Sequence, residues 1–176
     1  MNNIIYKISE NDEHRYALGV KGNSPLIFFG INPSTATPEN YDQTMKKAKS
    51  FALLNNFDSW IMFNLYPQRA VNVNYVDNIC NVFYHKENIN IIRSLIPNNS
   101  TIVAAWGNLI TKRTYFFNCL EDILKELKDK KLKWKHIGDL TKNGHPRHIL
   151  YLGYEEKMSE FKINDYIKRI HSNVRT

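Results

Sequence analysis

Two cysteines in 176 residues, Cys80 and Cys119, are too few and too far apart in sequence for a disulfide framework, and neither has a second cysteine at a metal-binding or redox spacing. They read as reduced core thiols, the usage expected of a cytoplasmic protein. No apolar run approaches the roughly 20 residues that span a bilayer. The opening Met1-Asn2-Asn3-Ile4-Ile5-Tyr6-Lys7 lacks the basic and long apolar regions of a signal peptide, so no membrane association is expected. There is no internal repeat, low-complexity tract or linker. A single domain over residues 1–176 is expected, long enough to bury a core without disulfides or metals. Metal chemistry lacks a ligand set: His145 and His148 are the only close histidine pair, and no acid stands with them. Neither a metal nor a cofactor is expected, and the chain has no glycine-rich phosphate loop.

What the chain does have is positive charge. A formal net charge of +7 favours a polyanionic partner, because lysine and arginine neutralise phosphates and release condensed counterions. Nucleic acid is therefore an expected partner of a chain expected to be a monomer. The competing account is local: much of the excess is lysine after Glu121, interspersed with acids, as on solvated helix faces.

The chain is organised around Pro25-Leu26-Ile27-Phe28-Phe29-Gly30-Ile31-Asn32-Pro33-Ser34-Thr35. Leu26 to Phe29 are continuously apolar, as in a strand buried on both faces of a parallel sheet. Gly30 permits close backbone approach and Pro33 fixes the exit direction, which leaves the amide of Asn32 at the sheet edge. An ordinary strand-to-loop turn would use the same residue types. Before this stretch, loose alternation over residues 4–21 around Glu10-Asn11-Asp12-Glu13 predicts an opening hairpin that caps one sheet edge. After it, Thr37-Pro38-Glu39 or Asp42 caps a helix running to about Asn55.

Ser59 to Asn64 is a second buried strand that again ends in a lone amide, followed by Tyr66-Pro67-Gln68-Arg69. Residues 75–96 read as one or two helices closed by Pro97, and Thr101 to Trp106 as a third strand. Gly107 leads into a long helix with a lysine-rich outer face, and the weaker run Trp134 to Ile137 feeds a loop containing Gly144-His145-Pro146-Arg147-His148. Strands alternating with helices predict a three-layer α/β/α fold around a mostly parallel four-stranded sheet. Its ligand should bind beyond the carboxyl ends of the strands.

Asn32, Asn64, Trp106-Gly107 and His145-Pro146 thereby fall on one rim. Gly30-Ile31-Asn32-Pro33, Phe63-Asn64, Val103-Ala104-Ala105-Trp106-Gly107 and His145-Pro146 resemble, in order, the motifs of the uracil-DNA glycosylase superfamily, and the first of them resembles its mismatch-specific branch. Asn32-Pro33-Ser34-Thr35-Ala36, Ala104-Ala105-Trp106-Gly107 and Gly144-His145-Pro146-Arg147-His148 are similar to a family of bacterial and phage proteins catalogued as domain of unknown function 1643. That similarity spans about residues 13 to 153. Ser34 stands where the mismatch-specific enzymes have glycine, and Arg147 to Tyr151 stand where they have small residues and a duplex wedge.

The resemblance implies hydrolysis of the N-glycosidic bond of a flipped, modified or mismatched pyrimidine, in DNA repair or phage defence. Asn32 would orient the attacking water and His145 would stabilise the departing base. Gly30, Ile31, Pro33, Ser34, Tyr41, Asp42, Asn64 and Trp106 would surround the base, with Asn64 reading its edge. Arg69, Arg147 and His148 would hold phosphate, a task suited to the planar guanidinium fork. Each residue also has a structural reading: Asn64 can satisfy a buried backbone group, Trp106 can belong to the core, and Asp42 can cap a helix. Two other functions stay open, a non-catalytic nucleic-acid-binding module of the same fold and an enzyme on a free nucleotide or nucleoside. For the latter, Ser34, Thr35 and the following helix N-terminus would cradle phosphate.

Overall fold

Continuous apolar runs become the central strands. In the computed structural model, which describes residues 3–174, β3 (Pro25–Gly30), β4 (Ser59–Asn64) and β5 (Thr101–Ala104) lie side by side, with β6 (Lys133–Ile137) beyond β5. The pairs β3/β4, β3/β5 and β5/β6 are parallel. Every residue of β3 and β4 is buried, as a strand covered on both faces requires.

The expectation of four mostly parallel strands is corrected. The sheet has seven strands in the order β1-β2-β4-β3-β5-β6-β7, and three of its six pairings are antiparallel. The opening hairpin, β1 (Ile4–Ile8) and β2 (Arg15–Val20), is present as predicted, but it joins the sheet through β2/β4 instead of only capping it. At the other edge, three-residue β7 (Met158–Glu160) pairs antiparallel with β6. Its partly exposed Met-Ser-Glu carries no apolar alternation to betray it.

Side chains alternate across the sheet and separate two cores. Leu26 and Phe28 face α1 (Gln43–Leu54), whose Met45, Ala48, Phe51 and Ala52 form the buried stripe. Ile27 and Phe29 face the opposite core, with Ile92 of α2 (Val82–Leu95), Phe116, Leu120 and Ile123 of α3 (Tyr115–Glu126), and Tyr166 of α4 (Ile163–Val174). Helices thus cover both faces of a mixed sheet. The long helix predicted from Gly107 is instead a 3-10 turn over Gly107–Lys112 followed by α3. Cys80 and Cys119 are free thiols, Cys119 buried and Cys80 half-buried.

The parallel strands set the site. Beyond their carboxyl ends the ladder continues as backbone bonds from Leu65 N to Gly30 O (2.9 Å), Tyr66 N to Ile31 O (3.0 Å) and Ala105 N to Phe29 O (2.9 Å). The loops that follow are therefore fixed in register before they diverge. Among the described residues no helix is long and apolar enough to cross a membrane.

Candidate functional site

A cleft of about 680 Å³ opens at the carboxyl ends of β3 and β4. Gly30, Ile31, Asn32 and Ser34 line one part of it, Asn64 another, and Asp42 at the start of α1 a third. Trp106, Arg147 and His148 complete the predicted residues found there. Residues distant in sequence meet because each follows a strand that ends at this rim.

The two asparagines differ in what they have left to offer. Asn32 donates from Nδ2 to Pro33 O (3.1 Å) and to Ala70 O (3.0 Å), which ties the turn after β3 to the segment after β4. Its Oδ1 has no partner among the described residues, so an acceptor remains on the cleft wall. Asn64 is buried, and its Nδ2 has no hydrogen-bond partner. A buried donor left unmade costs about 1–3 kcal/mol. Its backbone is held from behind by Asn88 of α2, which donates from Nδ2 to Asn64 O (3.0 Å).

The expected convergence of Asn32, Asn64 and His145 is corrected at the histidine. His145 is buried outside the cleft lining, against Phe117 and Tyr166 in the core on the α3 and α4 side. Trp106 Nε1–H donates to Tyr166 Oη (3.1 Å), and that hydroxyl lies 2.8 Å from His145 Nδ1. An indole nitrogen only donates, so the hydroxyl accepts from it and keeps its own proton available for the bond to Nδ1. Burial, and then Arg169, lower the His145 pKa, which favours the neutral ring. Through Tyr166 it supports Trp106, which is fully buried at the cleft wall.

The histidine in the cleft is His148. Its Nδ1 accepts from Leu150 N (3.2 Å), which leaves the ring proton on Nε2 as a donor. Burial lowers its pKa, with Asp42 acting the other way. Gly107, at φ +63, turns the chain beneath it and donates from its backbone N to Pro146 O (2.8 Å). Asp42 is both cap and lining residue, its Oδ1 accepting from Met45 N (2.9 Å).

Three further expectations move. Arg69 is a structural strap: it donates to Ser34 O (2.6 Å), Ala36 O (3.3 Å) and Tyr6 Oη (2.7 Å) and pairs with Asp12 (2.8 Å). Every part of its fork is engaged, so it is no free phosphate clamp. Tyr41 packs edge-on against Trp60 (5.4 Å) outside the lining, and Pro33 contributes only its carbonyl, to Ala70 N and Asn32. Arg147 is exposed at the mouth with its Nε bonded to Asp139 O (2.9 Å), which leaves the outer nitrogens to solvent. Among the described residues no group of three or more His, Cys, Asp or Glu side chains can hold a metal.

Sequence reading missed two residues that line the cleft, Arg15 and Asn108, the latter with its Oδ1 accepting from Thr141 Oγ1 (2.7 Å). The signal for Arg15 was a charge opening the otherwise apolar run Tyr16 to Val20. The rim also carries exposed apolar side chains, Val71 at 80%, Tyr151 at 83% and Leu109 at 42% exposure, which burial in the domain does not account for.

Comparison with curated proteins and with solved structures yields no match to the chain. The model of a family described as protein of unknown function (DUF1643) matches residues 15–150, a span that contains the cleft lining from Arg15 to Leu150. The chain belongs to that family.

Proposed function

We propose that the protein hydrolyses the N-glycosidic bond of a nucleobase held in this cleft, in a fold of the three-layer, uracil-DNA-glycosylase-like kind. The observation that carries the reading is the Asn64 amide, buried on the cleft wall with an unpartnered Nδ2. A side-chain amide offers one donor edge and one acceptor edge, the complement of a pyrimidine's hydrogen-bonding face.

Asn32 Oδ1 then accepts from a water and turns its oxygen toward the anomeric carbon. As the oxygen–carbon bond forms, the bond from that carbon to the base nitrogen breaks, and its electron pair leaves with the base. His148 Nε2–H, in place of His145, donates a hydrogen bond to the base as negative charge develops there. The proton lost by the water passes to solvent through the open cleft. Val71, Leu109 and Tyr151 at the rim suit contact with the stacked bases that a flipped nucleotide leaves behind, and Arg147 suits the adjoining phosphate.

The test is product formation on single-stranded and duplex oligonucleotides carrying uracil, mismatched thymine or modified pyrimidines, read as alkali-labile breaks. Breaks that vanish in Asn32→Ala and fall at least about a hundredfold in His148→Ala support the reading, since one electrostatic donor is worth ~10²–10³ in rate. Absence of product on every substrate, or undiminished product in Asn32→Ala, sinks it.

The exposed apolar rim beside Arg147 equally favours a second reading, a non-catalytic module that binds single-stranded nucleic acid. It predicts salt-dependent binding with no broken strands.

A further inference from the structure

Arg15 is 1% exposed, yet the residue lines the cleft. Among the described residues no carboxylate lies within ion-pair distance of it. Its Nη1 donates to Ala36 O (3.1 Å), and its Nε has no partner. Arg69, which acts on it as a like charge, is tied to Asp12 and to the Ser34 carbonyl; Asp42 and Asp12 favour its charge from beyond ion-pair distance, and Asp42 Oδ1 accepts from the amide of Met45. Removing a cation from water without a partner is costly, and buried charges are ordinarily paired. A charge kept at the wall of an open cleft under those conditions is matched by something that enters the cleft.

We propose that Arg15 is an oxyanion receptor, and that the ligand of this cleft carries a phosphate or carboxylate group which the Arg15 fork holds. A guanidinium recognises both groups through the same planar, charge-assisted pair of hydrogen bonds. Burial together with Arg69 brings the guanidinium down to about 10, the direction that an anion bound there would reverse. The two sources of the anion have different consequences. A phosphate buried this deeply belongs to a free nucleotide, because the phosphates of a DNA strand stay at the mouth near exposed Arg147. A carboxylate belongs to an acidic substituent on the base itself.

The inference concerns binding and does not depend on bond cleavage. Calorimetric titration with uridine, uridine 5′-monophosphate and 5-carboxyuridine tests it, with inorganic phosphate as a fourth probe. At least one acidic probe should bind about tenfold or more tightly than uridine, and Arg15→Met should remove that advantage. Preference for the monophosphate, with competition by inorganic phosphate, assigns the phosphate source. Preference for 5-carboxyuridine assigns the base carboxylate.

Melting temperature separates this role from a structural one. Arg15→Met should melt no lower than wild type if the guanidinium awaits a ligand, and well below it if the bond to Ala36 O is what matters. If the methionine variant fails to fold, Arg15→Lys keeps the charge without the fork, and the acidic probe's advantage should shrink several-fold. No binding of either acidic probe, or an advantage that survives in Arg15→Met, overturns the proposal. Binding through Arg15 without base release would leave it standing and remove the glycosidase reading. Base release from uridine 5′-monophosphate and 5-carboxyuridine, equal in wild type and Arg15→Met, would do the reverse.

Discussion

A Cβ on Gly30 would stand 2.8 Å from Asn64 Oδ1, closer than real Cβ contacts come. The two residues are register partners on the parallel pair β3/β4, so the glycine leaves the space that the neighbouring amide occupies. Its value at this position is the missing side chain, since its φ is not in the left-handed region.

Gly30→Ala should therefore fold but displace the Asn64 amide. Overpacking of this kind costs about 1–3 kcal/mol, less where the obstructing atom ends a movable side chain. Binding of any nucleobase ligand should fall with it. Because the alanine acts through Asn64, the double variant Gly30→Ala/Asn64→Ala should bind no worse than Asn64→Ala alone. Additive losses in that cycle would show that Gly30 contributes in some other way.

The two arginines expected to hold phosphate should part company. Hydrogen bonds to charged groups are worth about 1.5–3 kcal/mol, and Arg69 joins Ser34, Ala36, Tyr6 and Asp12, so Arg69→Ala should lower stability by at least that much. Arg147→Ala removes an exposed head, and its effect on stability should stay within about 0.5 kcal/mol. It should instead weaken oligonucleotide binding and reduce the salt slope by about 1. Urea titrations beside binding isotherms at several salt concentrations separate the two.

Those strands were legible because burial on both faces writes itself as unbroken apolar runs: β3 and β4 lie where Leu26 to Phe29 and Ser59 to Asn64 place them. Two lone amides after such runs were enough to find the rim. The edge strand β7 was not legible, and α4 was missed because its apolar positions sit within a strongly polar segment after Glu160. The choice between His145 and His148 lay beyond sequence too. Both occupy one short loop, and only the packing of Trp106 against Tyr166 decides which imidazole turns into the core. Arg69 looked like a free cation for the same reason, its partners lying 33 to 63 residues away.

Acid should destabilise the fold through its buried imidazoles. His14, His145 and His148 all have pKa values lowered by burial from the ordinary 6.5. The unfolded chain then binds protons at a pH where the folded chain does not, so stability falls as pH falls. The contribution is complete above 6.5 and is lost as pH drops through the depressed folded values. Urea midpoints should therefore decline between about pH 7 and pH 5, and replacing His145 by glutamine should make the decline shallower. A midpoint independent of pH over that range would mean that these rings are not held neutral.

The chain Trp106–Tyr166–His145 offers the sharpest separation between support and chemistry. Tyr166 is buried, its hydroxyl held protonated with a pKa pushed up to about 12 by burial. Tyr166→Phe removes that hydroxyl without changing the ring, and so leaves the Trp106 N–H and the His145 Nδ1 each without a partner. At about 1–3 kcal/mol for each orphaned group, the loss should be about 2–6 kcal/mol, and each kcal/mol lowers the melting temperature by about 2–4 °C in a chain of this size. His145→Gln should lose stability along the same route, and the double variant should lose less than the sum, because all three residues share one network. Ligand binding should weaken only as far as Trp106 shifts at the cleft wall. If His145 instead acted on the ligand directly, Tyr166→Phe would change the pH dependence of binding or turnover while the ligand-free melting temperature stayed near that of the wild type.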